Sequence, residues 1–214
     1  MSDNPHLADP PVTRGPAPHD ADLVVVAVHG RNQSPDYMVE HLVDRIEVGG
    51  VAWVLPAAAG QSWYPQGFLA SFEQNQPGLD HTREAMDAVL TSLDGIDRRR
   101  IVWAGFSQGA CTVCDVIDRH PDRWGGVLAF TGGLIGPPGT AMWLPDVLDD
   151  MPTYFGVGEA DEWVPLWRVE ETAEAFRAAG ADVTLDVFTD REHVIRDAEI
   201  DRARTLLRHA LDAR

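Results

Sequence analysis

Apolar residues in this chain fall into short unbroken runs, separated by longer stretches in which they recur every third or fourth position. Leu23-Val24-Val25-Val26-Ala27-Val28 is the plainest run, and continuous β-branched character of that length marks a strand covered on both faces. The same reading predicts strands at 51–55, 101–104, 127–130, 153–157 and 183–188. Between them the spacing turns helical. Tyr37, Met38, His41, Leu42, Arg45 and Ile46 follow one face of a helix that Pro35 opens, Ser34 caps and Gly49-Gly50 closes. Met86, Val89, Leu90 and Leu93 stripe a helix at 79–93. Further helices are expected at 110–117, at 166–179 with Gly180 as its cap, and at 198–211. Residues 136–148 form a Pro/Gly-rich excursion carrying Met142 and Trp143. Strands and helices thus alternate without an internal repeat, which predicts an α/β fold: an open, mostly parallel sheet with helices on both faces. In such sheets function gathers at the carboxyl ends of the strands.

The strand at 101–104 runs into Gly105-Phe106-Ser107-Gln108-Gly109, and a helix follows. G-x-S-x-G arises by chance in many Gly- and Ser-rich loops, but strand, sharp turn and helix are the context of a nucleophile elbow. The serine then sits at the tip of a strained turn. Gly105 and Gly109 leave room where a Cβ would collide with the adjoining strand or helix. The helix begins under Ser107, with its first N–H groups aimed where negative charge would develop.

A serine hydroxyl needs a base to take its proton, and the base needs an acid to aim it. In a strand–elbow–helix architecture the chain order is serine, acid, histidine. Of eight histidines, His120, His193 and His209 follow Ser107. His120 ends the elbow helix before Pro121 and His209 belongs to the last helix, both away from the active edge. His193 lies in the loop after the last strand and is the expected base. Asp161, in Gly158-Glu159-Ala160-Asp161-Glu162-Trp163-Val164-Pro165, is the expected acid, with Glu159, Glu162 and Asp190 as rivals. A helix-capping aspartate is the bland alternative, but three acidic residues cluster where one cap suffices. Two backbone N–H groups must hold the oxyanion. Gln108, after the nucleophile, supplies one, and Arg31, in His29-Gly30-Arg31-Asn32 after the first long strand, is favoured for the other. His29 is expected to hold that turn by a hydrogen bond. No second histidine or cysteine stands at ligand spacing to His29 to make it a metal ligand, and neither metal nor cofactor is expected.

With these residues in place the chain resembles the phospholipase/carboxylesterase group of α/β-hydrolases, which includes acyl-protein thioesterases and small bacterial and archaeal carboxylesterases. The resemblance rests on His29-Gly30, Gly105-Phe106-Ser107-Gln108-Gly109-Ala110, the Gly158-x-x-Asp161-x-x-Val164-Pro165 loop and His193, and covers nearly all of the chain beyond about residue 20. G-F-S-Q-G is quite specific to this group, whereas His-Gly alone is common. The resemblance implies an α/β-hydrolase fold with little or no lid, acting on short- to medium-chain esters, with thioesterase or lysophospholipase action by the same machinery as the alternative. A catalytically silent ligand-binding protein of the same fold is the non-enzymatic one. Two departures fall on substrate-facing loops and leave the triad intact. Arg31-Asn32-Gln33-Ser34 stands where a second glycine and an acidic residue are common, and Glu192 precedes His193 where glycine is usual. Asn32 tolerates the positive φ that a glycine would supply.

Length, composition and charge bound this picture. The 214 residues suffice for one sizeable core and are too few for two ordinary domains, so residues 21–214 are expected to form one domain behind a loose arm at 1–20, with a short strand near Val12-Thr13. The arm lacks a basic start and an apolar centre, and no apolar run approaches a membrane span, so the cytoplasm is the expected location, without integral membrane contact. Monomer and homodimer both stay open. Cys111 and Cys114 form a C-x-x-C pair, expected to pack in the core rather than to act in redox or metal chemistry. Trp63, Tyr64, Phe68, Trp143, Trp163 and Trp167 come from segments after strand ends; each alone is more often packing, but together they suggest an aromatic-lined cleft.

Thirty-four acidic residues stand against 17 basic ones, all arginine, for a formal net charge of −17. Such a surface repels nucleic acid and anionic membranes, and the partner that the resemblance implies is a small ester or thioester. It suits concentrated salt, where counterions screen self-repulsion, while base-composition bias alone would also replace lysine by arginine. Unfolding followed in dilute buffer and in molar salt decides between them: the salt-adapted reading expects a clear gain in thermal midpoint with salt, and equal midpoints refute it.

Overall fold

The computed structural model describes residues 4–140, 144–189 and 192–212. Seven strands form one sheet: β1 (Val12–Arg14), β2 (Leu23–Val28), β3 (Val51–Leu55), β4 (Ile101–Phe106), β5 (Gly126–Phe130), β6 (Pro152–Gly158) and β7 (Asp182–Phe188). Their order across the sheet is β1-β3-β2-β4-β5-β6-β7. β1 pairs antiparallel with β3, and the remaining neighbours are parallel. The helices are α1 (Pro35–His41), α2 (Gly78–Ser92), α3 (Gln108–Arg119), α4 (Leu166–Ala178) and α5 (Asp197–Asp212). This is the open α/β architecture that the alternating pattern predicts. No helix among the described residues is long and apolar enough to cross a membrane.

Alternate residues of the central strands feed two cores, one on each side of the sheet. Val24, Val26, Val28, Trp103 and Val127 pack with α2, α3 and α4. Leu23, Val25, Ala27, Val102 and Leu128 pack with α1 and α5 on the other side. Every residue of β2, β4 and β5 is buried, as expected of parallel strands covered on both faces. β7 closes the sheet at one edge and is only partly covered.

Two expectations change. The helix opened by Pro35 does not run to Ile46: it ends at His41, where Leu42 leaves helical geometry at φ −128°, ψ −62°, and a 3-10 turn covers Val43–Arg45. The apolar spacing persists because Leu42 and Ile46 still face the core. Nor are residues 4–20 loose. Besides the β1–β3 pairing, Asn4 and His6 are buried, and Asn4 Nδ2 donates to the His81 carbonyl on α2 at 2.7 Å. His6 Nδ1 accepts the Ala59 N–H at 3.0 Å, leaving Nε2–H to donate to the Trp63 carbonyl at 3.0 Å. Burial lowers the His6 pKa, in keeping with a neutral imidazole. The arm is thus fastened to the segment after β3. Polar residues scattered among prolines carry no periodicity, so their hydrogen bonds were not legible from pattern alone.

The elbow is where packing is tightest. A Cβ on Gly109 would stand 2.0 Å from the Val28 carbonyl oxygen, and one on Gly105 2.4 Å from the Gly109 oxygen. Helix α3 therefore meets the ends of β2 and β4 backbone to backbone, which only glycine permits. Replacing Gly109 with alanine is expected to cost about 2 kcal/mol or more of stability, because the obstructing atoms are main chain and cannot step aside. Urea unfolding of Gly109→Ala measures this; an unchanged midpoint and slope would contradict the steric argument.

Candidate active site

Ser107 sits between β4 and α3 at φ 55°, ψ −120°, a conformation unusual for a residue with a side chain. Its N–H donates to the Phe130 carbonyl at 2.9 Å and so fixes the turn to β5. The Oγ projects from the carboxyl edge of the sheet. His193, in the segment between β7 and α5, places Nε2 2.8 Å from that Oγ. Its Nδ1 lies 2.7 Å from Asp161 Oδ2. A carboxylate only accepts, so Nδ1 carries the proton and Nε2 of the neutral ring is left to accept from the serine hydroxyl. The Phe106 ring packs beside the imidazole, centroids 5.0 Å apart.

Asp161 follows β6, and its side chain has no solvent exposure. Burial pushes its pKa up, but donation from His193 and from the Val164 and Trp163 N–H groups outweighs that and holds it below the ordinary carboxylate value. Those two N–H groups reach Oδ1 at 2.8 and 2.9 Å. The aspartate thus does what a helix-approach cap does with one oxygen and aims the imidazole with the other. Of its rivals, Glu159 and Glu162 make neither contact to His193, and Asp190 lies outside the described residues.

The two expected oxyanion donors flank the same place. Gln108 is the first residue of α3, so its N–H has no partner within the helix. Neither it nor the Arg31 N–H has an acceptor among the described residues. The loop carrying Arg31 is held from several sides. His29 Nε2 accepts the Ala58 N–H at 3.0 Å and Nδ1 meets the Gly30 carbonyl at 2.7 Å, which matches the expected turn-holding role. Asn32 takes φ 59° and donates its N–H to the Gln61 carbonyl. The Arg31 guanidinium binds the carbonyls of Tyr64, Pro65 and Gln66, at 2.9 and 2.6 Å for the first two.

Beside the serine opens a cavity of about 250 Å³, with Tyr64, Phe68, Cys111, Trp163 and Val164 among its walls. Tyr64, Phe68 and Trp163 thus stand where the aromatic cleft was expected, Trp163 on the rim with 73 % of its surface exposed. Trp63 does not. It is wholly buried, donating its indole N–H to the His29 carbonyl at 2.8 Å and its main-chain N–H to Gln108 Oε1 at 3.0 Å. An indole that can satisfy its N–H only inward becomes a strut behind the cavity, not a wall of it. Trp143 lies outside the described residues. The Gln108 side chain was missed as a structural link: its amide also donates to the Tyr64 carbonyl at 2.8 Å, riveting the elbow to the segment after β3. Its place inside G-F-S-Q-G was the available signal. Among the described residues no three His, Cys, Asp or Glu side chains gather as a metal ion requires.

The profile of the phospholipase/carboxylesterase family matches residues 12–211. The chain belongs to that family. The solved structure of a phospholipase/carboxylesterase from Dyadobacter fermentans DSM 18053 is 32 % identical and superposes with a TM-score of 0.87, covering 94 % of this chain and 96 % of that one. Esterase PE8 superposes at 0.77 with 21 % identity, over 94 % and 98 % of the two chains, which is a likeness of fold. Esterase YpfH of Escherichia coli K12 is 26 % identical over 164 residues, 72 % of this chain and 64 % of that relative's length. The chain therefore spans under two thirds of that relative.

Cys111 and Cys114 are buried free thiols on the inner face of α3. Burial pushes the Cys111 thiol up to about 12 and raises Cys114 as well, the opposite of a reactive redox pair. A small aromatic disulfide reagent is expected to leave both unmodified in the native protein and to titrate both after denaturation; rapid native reaction would overturn the packed reading.

Proposed function

We propose that this protein is a serine carboxylesterase that cleaves short- to medium-chain carboxylic esters through an acyl-enzyme. The observation that carries this reading is one imidazole bridging Ser107 Oγ at 2.8 Å and Asp161 Oδ2 at 2.7 Å. In the proposed reaction His193 takes the serine proton as Oγ attacks the ester carbonyl. Asp161 keeps the ring in the right tautomer and stabilises the imidazolium. The N–H groups of Arg31 and Gln108 hold the tetrahedral oxyanion. His193 then protonates the departing alcohol, and a water activated by the same ring hydrolyses the acyl-enzyme. No step calls for a metal or a cofactor. Family membership and the esterase names of the relatives support the same chemistry.

The size of the cavity favours small acyl groups. At about 250 Å³ it falls below the range of roughly 300–1,000 Å³ common for drug-sized ligands. Its walls are mainly apolar, suited to an alkyl or aryl group and not to a polyanion. The net charge of −17 adds to the case against nucleic acid as a partner.

Three measurements test this reading together. A fluorophosphonate is expected to label Ser107 stoichiometrically. Ser107→Ala is expected to lose at least about 10³-fold in turnover while unfolding as the parent does. A series of aryl esters should peak at short or medium acyl length, with matched thioesters and lysophospholipids turned over more slowly. Near-normal ester hydrolysis by Ser107→Ala refutes the assignment, and absence of labelling in a folded protein favours a silent ligand-binding role.

A further inference from the structure

Glu199 lies in the first turn of α5 and has no solvent exposure. A glutamate at this place in a helix ordinarily accepts the N–H of the capping residue from the surface. Glu199 does accept the Arg196 N–H, at 2.9 Å, yet a glutamine would serve that end with no ionic charge to bury. What a carboxylate adds is its hold on the Arg196 guanidinium, whose Nη1 stands 3.3 Å from the same oxygen. From that anchor the guanidinium extends along the segment that carries His193. Nη2 donates to the Glu192 carbonyl at 2.6 Å, and Nη1 stands 3.4 Å from the Val194 carbonyl. These are the carbonyls on either side of His193. The guanidinium carbon lies 4.5 Å from the centroid of the Phe188 ring, at the end of β7.

The remaining neighbours of Glu199 offer its charge little relief. Among the described residues Oε1 is buried with no hydrogen-bond partner, as is the Tyr154 hydroxyl on β6. Both press on Gly156, where a Cβ would stand 2.1 Å from Oε1 and 2.7 Å from the Tyr154 oxygen. Asp186 on β7 faces the same space with a further negative charge, itself paired with Arg202 of α5. Burial, aided by Asp186, pushes the Glu199 carboxyl up to about 7 against the lowering contacts with Arg196.

We propose that Glu199 is a positioning residue for the base: as a carboxylate it fastens Arg196 across the two carbonyls flanking His193, and as a neutral acid it releases them. The proposal rests on the reading of His193 as the base of ester hydrolysis. Neutral Glu199 still accepts the Arg196 N–H, so α5 keeps its start. What weakens is the charge-assisted contact with the guanidinium, and with it the placement of the imidazole against Ser107. Mild acidification therefore reduces activity through a group that touches neither substrate nor Ser107.

The test measures kcat and KM for a soluble aryl ester from mildly acid to mildly alkaline pH, in the wild type and in Glu199→Gln. In alkali the variant is expected to show kcat lower by on the order of tenfold with KM unchanged. The wild-type kcat profile carries a step centred near pH 7 that the variant lacks, so the two curves converge in acid. Stability moves the other way. A carboxyl with a raised native pKa favours the fold while neutral, and that contribution is lost as pH rises through about 7. The thermal midpoint of Glu199→Gln should therefore gain on the wild type as pH rises through that value. Arg196→Gln, which keeps the carboxylate and removes the reach, should show the same low alkaline kcat and the same missing step. Curves in constant ratio at every pH, or normal alkaline kcat in either folded variant, overturn the proposal and leave the esterase reading standing. A wild type that hydrolyses no ester overturns both.

Discussion

The contact on which the active edge depends is the backbone-to-backbone approach of α3 to the ends of β2 and β4. With Gly109 against the Val28 and His29 carbonyls, the helix can begin only one residue after Ser107. That leaves the serine to absorb the turn at a positive φ. The strain sets the hydroxyl on the rim and brings the free N–H of Gln108 beside it. The Gln108 side chain then reaches across to residues 63 and 64, so the same residue that starts the helix also fixes the segment after β3. Serine, the Gln108 N–H and the cavity wall thus share one rigid origin.

How much of this was legible beforehand follows from which interactions have a period. The buried strands announced themselves because parallel strands covered on both faces must be apolar throughout. Ser107, Asp161 and His193 were legible because each follows a predicted strand at the same edge, in the order that this architecture imposes. Interactions without a repeat were hidden. His6 and Asn4 sit among prolines, and nothing in their spacing points to a partner more than fifty residues away. The helix at Pro35 was read too long because Leu42 and Ile46 remain core-facing after the helical turns have ended. Trp63 was placed in the cleft by its position after a strand, but the direction of its indole was set by the His29 carbonyl. Glu199 carries no signal in the spacing, since its burial comes from the packing of α5 against Gly156.

The arginine-only basic complement takes on meaning at the level of geometry. Arg83 grips Asp115 through two nitrogens at 3.0 and 2.7 Å, and Arg202 does the same with Asp186 at 2.8 and 3.1 Å. Arg31 spans three consecutive carbonyls, and Arg196 two that flank a single residue. A planar five-donor fork can serve several acceptors in one plane, which an ammonium cannot. In a chain so rich in carboxylates, these few cations act as staples between segments as much as counter-charges.

Trp163 joins two of these themes. Its main-chain N–H helps to hold Asp161, while its ring stands in solvent at the rim of the cavity, in contrast to the enclosed rings of Trp63, Trp103 and Trp124. Indole emission depends on the polarity around the ring, so an acyl group settling into the cavity would alter the light from this residue far more than from those three. The molecule therefore carries a built-in optical gauge of occupancy, two residues along the chain from the carboxylate that holds the imidazole.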